Sequence, residues 1–114
     1  LTDINIAIEV TEECDHTTGI NTISFTITGA SIITAMLGNS SLPFPYIING
    51  TSGQLALQDG TQTVTVNTSG LYLATLQYLN PEYLNEALKA MLAGGSPNSN
   101  MPQLISRNLT LCGT

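Results

Sequence analysis

Residues 61–79 read TQTVTVNTSGLYLATLQYL, and this stretch decides the fold. Val64 and Val66 alternate with threonines, the period of two that a strand with one buried face requires. Ser69-Gly70 breaks the alternation, and residues 71–79 resume it with leucine and tyrosine. Two strands therefore meet at a sharp corner, with Tyr72 just past the bend. The corner reads as the centre of a β-sandwich against which the other strands pack.

Working back toward the N-terminus, residues 54–58 form a strand with Leu55 and Leu57 on one side, and Asp59-Gly60 is a hairpin signal leading into the corner. Asn49-Gly50 marks a tight turn after a short edge strand at 46–48. Residues 38–46, GNSSLPFPY, read as a loop, because Pro43 and Pro45 lack the donors a central strand needs. Phe44 and Tyr46 beside them serve either as a small aromatic contact surface or as packing over the sandwich edge. Residues 31–37, SIITAML, read as a strand buried on both faces. Residues 20–29 alternate, with Ile23, Phe25 and Ile27 inward and threonines outward. Residues 12–19, EECDHTTG, form a polar turn; a calcium site would draw on Glu12, Glu13, Asp15 and His16, but their spacing matches no standard loop, so no metal is expected. Residues 2–11 place Ile4, Ile6, Ile8 and Val10 on one face of an N-terminal strand.

Beyond the corner the period changes. Asn80 is a helix cap and Pro81 suits the first helical position. Glu82 and Glu86 favour the early turns, and Leu84, Leu88, Met91 and Leu92 share one face, so residues 81–93 form one short amphipathic helix ended by Gly94-Gly95. Residues 103–112 give the last strand. Arg107 falls on its apolar side with Ile105, Leu109 and Leu111, which places it near an edge or beside an acid.

The 114 residues suffice for one domain, 1–114, with its own core. Only 9% of the residues are charged, against about 25% in an ordinary soluble domain, so Thr, Ser, Asn, Gln and Gly must cover the surface. The net charge of −6 with two basic residues excludes a phosphate-neutralising nucleic-acid binder. No apolar run is long enough to span a bilayer as a helix. The chain begins at Leu1 rather than Met, as expected of a sequence that has lost a leader or been trimmed. Cys14 and Cys112 lie near opposite ends and form no CxxC. They pair with each other, link neighbouring subunits, or remain separate thiols; the first is the expectation, and it closes a loop whose constraint is worth about 4–5 kcal/mol.

About seven short strands, one helix and turns rich in Gly, Asn and Asp describe an all-β antiparallel sandwich. Ser69-Gly70-Leu71-Tyr72-Leu73-Ala74 resembles the entry to the sixth strand of immunoglobulin-like domains, in the manner of bacterial and archaeal surface modules. The resemblance implies that Tyr72 is a structural corner whose hydroxyl bonds back to the backbone, and that Ala74 stands where antibody-type domains carry a cysteine, facing Phe25. The usual buried tryptophan is missing. In that topology the first and last strands run side by side, which brings Cys14 to Cys112 and pins the open edge of one sheet.

The sequons at Asn39, Asn49, Asn67 and Asn108 are glycosylation candidates. A nearly uncharged surface, a disulfide and sequons together point to a secreted, extracellular or cell-surface structural protein that forms a homo-oligomer or polymer: a pilus-like filament, thread or surface layer. The strand at 2–11 is a candidate for donation to a neighbour's sheet, carried by Ile4, Ile6, Ile8 and Val10. The alternative is an adhesion module that binds glycans or surfaces near Phe44 and Tyr46. No catalytic residue or cofactor is expected. His16 is the only histidine, and Glu82 and Glu86, one turn apart on one helix, suit the helix dipole better than a cleft between two carboxylates.

Overall fold

The computed structural model describes residues 3–38, 42–70, 72–96 and 100–113. In chain order the elements are β1 (Ala7–Asp15), β2 (Ile20–Thr28), α1 (Ser31–Leu37), β3 (Pro43–Ile48), β4 (Thr51–Ala56), β5 (Gly60–Asn67), β6 (Tyr72–Leu79), α2 (Pro81–Leu92) and β7 (Leu104–Leu111). The strands form two antiparallel sheets, ordered β1-β2-β5 and β4-β3-β6-β7. The fold is an all-β sandwich. Relative to the constant-type immunoglobulin arrangement, β4 has moved to the sheet of β3, β6 and β7, which leaves β5 as an edge.

The alternating strands supply the core. Ile23, Phe25 and Ile27 of β2 face Phe44 and Ile48 of β3, Ala74, Leu76 and Tyr78 of β6, and Leu109 and Leu111 of β7, all buried. Phe25 meets Phe44 edge-on at 5.2 Å between centroids, and Tyr78 completes the cluster at 6.2 and 6.4 Å from them. Such pairs add about 0.5–1.5 kcal/mol each beyond their buried area. Phe44 is therefore a core residue, so of the two alternatives for Phe44 and Tyr46 packing holds for Phe44, while Tyr46 remains half-exposed.

Several expectations are corrected. Residues 31–37 form helix α1, so there are two short helices. In this run Ala30 and Ile33 are buried and Met36 and Leu37 half-buried, a helical spacing that seven apolar-rich residues cannot declare by alternation. Pro43 and Pro45 lie in β3, an inner strand. Their missing donors cost no ladder bond because β6 pairs only with residues 46–48 of β3, and residues 44 and 46 face β4. Asn49-Gly50 makes the expected tight turn, with φ of 49° and 87°. Asp59-Gly60 does not close a hairpin: β4 and β5 belong to different sheets, and Asp59 Oδ1 instead accepts from Ala30 N at 2.7 Å.

At the N-terminus the ladder covers β1 from 7 to 15 rather than 2–11. Residues 3–6 have no strand partner, yet Ile4 and Ile6 are buried. Helix α2 forms as expected: Asn80 Oδ1 accepts from Glu82 N at 3.1 Å, Pro81 opens the helix, and Leu84 and Leu88 are buried. Met91 and Leu92 are about half exposed at 53%, so the buried face ends a turn earlier than the spacing implies.

Candidate functional site

The sandwich has four strand edges, and side chains bond individual backbone groups on three of them, leaving those of residues such as Ser52, Gln54, Ser106 and Asn108 open among the described residues. Asn85 of α2 accepts from Ile6 N at 2.8 Å and donates to Ile6 O at 3.0 Å, standing in for a strand partner just before β1. On β7, Glu12 accepts from Thr110 N at 2.6 Å and from Arg107 at 3.0 Å, while Arg107 also donates to Val10 O on β1. On β4, Gln62 accepts from Ala56 N at 3.2 Å and donates to Ala56 O at 2.6 Å. A further amide does the same at the chain's end: buried Asn21 accepts from Cys112 N at 2.9 Å and donates to Cys112 O at 2.7 Å.

Asn21, Gln62 and Asn85 thus each bond both backbone groups of one residue. The sequence reading missed all three. The signal was present for two of them: Asn21 occupies the inward phase of β2 with Ile23, Phe25 and Ile27, and Gln62 that of β5 with Val64 and Val66. A carboxamide turned toward the core must find a donor and an acceptor together, and an unpaired strand residue offers that pair.

The fourth edge, β5, is different. Thr68 N donates to Gly19 O, so by the alternation of an antiparallel ladder Val64 and Val66 turn their backbone groups to β2, and Thr63, Thr65 and Asn67 turn theirs outward. Among the described residues, no strand and no side chain meets those outward groups. Along this edge runs a groove of about 650 Å³ between β5 and the β3–β4 hairpin, with Val64 and Val66 on one wall, Tyr46, Ile48 and Tyr72 on the other, and Leu111 among its lining residues. Its rim is hydroxyl and amide, and among the described residues no charged one lines it. The groove exists because β4 lies in the opposite sheet.

The expected site residues fall as follows. Cys14 and Cys112 form a disulfide with Cα atoms 5.9 Å apart. It joins the β1 edge of one sheet to the end of β7 in the other, and so ties the two sheets together rather than pinning one edge. His16 lies close by, with its ring nitrogen and both sulfurs within 4.8 Å of one another, but the sulfurs are committed to the bond. The turn expected at 12–19 is confined to 16–19, because Glu12, Glu13 and Asp15 pair with β2 as the end of β1; Glu12 is held by Arg107, and Asp15 Oδ1 accepts from Thr17 N at 2.9 Å. Asn49, Asn67 and Asn108 are exposed; Asn39 lies outside the described residues. Ile4, Ile6 and Val10 are buried and Ile8 half-buried within their own chain. The Tyr72 hydroxyl meets the Asn49 side chain and not the backbone, so it is no tyrosine corner. The β5–β6 bend is held instead by Thr68 Oγ1, which donates to Cys112 O at 2.7 Å, and by Gly113, packed against Thr68 and Ser69 too closely for a Cβ. Glu86 is exposed and paired at 3.7 Å with Lys89.

Comparison with family models, with curated proteins and with solved structures found no match.

Proposed function

We propose that this chain is a structural subunit of an extracellular or cell-surface assembly, such as a filament, thread or surface layer, with no catalytic role. The observation that carries this reading is the β5 edge, whose outward groups at 63, 65 and 67 meet no side chain among the described residues and lie beside an uncharged, partly apolar groove, whereas a side chain bonds at least one backbone group on each of the other edges. An open strand edge is a template for another strand, and folded proteins ordinarily blunt it. The disulfide supports an oxidising compartment. The low charge supports close packing of neighbours with little desolvation of ions. Donation of the N-terminal strand is the less favoured route, since its ladder with β2 would have to break and Cys14 tethers its end to Cys112.

Electron microscopy and sedimentation of the purified protein at rising concentration test the reading. Regular oligomers or fibres are expected; a monodisperse monomer throughout would overturn it. One observation favours the adhesion alternative: the groove has the volume of a small-ligand site and sets Tyr46 and Tyr72 beside Asn49, Thr65 and Asn67. Specific retention on a glycan array, lost on Tyr46→Ala, would favour that function.

A further inference from the structure

We infer that two copies of this chain pair edge to edge through β5, antiparallel and centred on Thr65, so that two three-stranded sheets become one of six strands. This rests on the assembly reading and names its partner and register.

The bonding groups are self-complementary. With Thr65 opposite its own copy, each Thr65 N–H meets the other's carbonyl, and Thr63 meets Asn67 on both sides, so every outward residue from 63 to 67 is used. A register shifted toward Thr61 is blocked, because Gln62 clips Ala56 there and the chain crosses between the sheets. On the groove side, Val64 of one copy lies opposite Val66 of the other, the close non-hydrogen-bonded pairing in which side chains touch best. Half-exposed valines on each groove wall are thereby covered.

Charge selects the same face. At net −6, copies repel wherever their acids meet. The eight acids lie elsewhere: Asp3, Glu9, Glu12, Glu13 and Asp15 on the N-terminal strand and its turn, Glu82 and Glu86 on α2, and Asp59 at the foot of β5, bonded to Ala30. The segment 61–70 carries no charge, no proline and no bulky side chain, and so none of the devices that keep an edge strand single.

The test uses full-length protein made in bacteria, so that Asn67 carries no sugar. Thr65→Cys and Thr63→Cys each add one exposed thiol to the outer face of β5. Paired residues at the centre approach to about 5.5 Å between Cα atoms, within disulfide reach, whereas the two copies of residue 63 sit four residues out of register. Under mild oxidation T65C is expected to form a covalent dimer and T63C to stay monomeric on a non-reducing gel. Thr65→Lys, which sets two ammonium groups against each other, is expected to shift the sedimenting species of the otherwise wild-type protein to monomer, with an unchanged far-UV spectrum as the check on folding. Equal cross-linking of T65C and T63C, or none in either, overturns the inference. If neither links while larger species persist, the assembly reading survives through another surface; if neither links and the wild-type protein stays monomeric, both fall.

Discussion

Replacing Asn21 tests the idea that neutral amides hold the ends of this sandwich. Its side chain is 1% exposed and binds both backbone groups of Cys112 at 2.9 and 2.7 Å. The same nitrogen also reaches Val66 O and Thr68 Oγ1, each at 3.3 Å. In Asn21→Ala the Cys112 carbonyl keeps the Thr68 hydroxyl, but the Cys112 N–H loses its partner in a buried setting. An orphaned donor costs about 1–3 kcal/mol. With a small cavity added, the expected loss is about 2–4 kcal/mol. Asn21→Asp is the sharper probe. One carboxylate oxygen still accepts from Cys112 N, while the other faces the oxygens of Cys112, Val66 and Thr68 in place of a donor. Burial and that repulsion raise the carboxyl pKa in the folded state above its unfolded value of about 3.9. The folded state then binds more protons than the unfolded, so the penalty is absent below the unfolded pKa, grows as pH rises between the two values, and is complete above the folded one. Urea unfolding with the disulfide intact reads both variants as a shift in midpoint at constant slope. An Asn21→Ala variant within about 0.5 kcal/mol of wild type, or an Asn21→Asp variant no worse than alanine at neutral pH, refutes the reasoning.

Three further outcomes are expected. Removing the disulfide with Cys14→Ser and Cys112→Ser releases a loop spanning 98 residues of separation and should destabilise by about 4–5 kcal/mol, seen as a lowered thermal midpoint that reductant reproduces in the wild type. Asn85→Ala should free both backbone groups of residue 6 and cost about 1–2 kcal/mol, with faster amide exchange at Ile6 and little change at Phe25. Trypsin should nick the folded protein after Lys89, whose side chain is 57% exposed, before Arg107, which is bonded to Glu12 and Val10; the pieces should stay joined on a non-reducing gel and part with reductant.

Strand periodicity was enough to read β2, β6 and β7, and capping chemistry was enough for α2, because in each the buried residues repeat along the element itself. Reading failed where the deciding partner lies elsewhere in the chain. SIITAML suits a buried strand and a short helix equally. The prolines of β3 are harmless only because β6 stops pairing at Tyr46. Asp59-Gly60 is turn chemistry whether the chain doubles back or changes sheet. Its place in the pattern puts Arg107 at an edge or beside an acid, and both hold, but Glu12 is 95 residues away. The amide clips span up to 91 residues, and the groove follows from which sheet β4 joins.

The three clips have a consequence for where such a molecule can work. Carboxamides neither take up nor release protons, and their bonds are not weakened by dissolved ions as exposed ion pairs are. Among the described residues, the side chains that bind the strand edges other than Glu12 and Arg107 are of that kind. Bonds of this kind stay the same from fresh water to brine, so the places where they hold the sheets do not depend on the salt or acidity around the molecule.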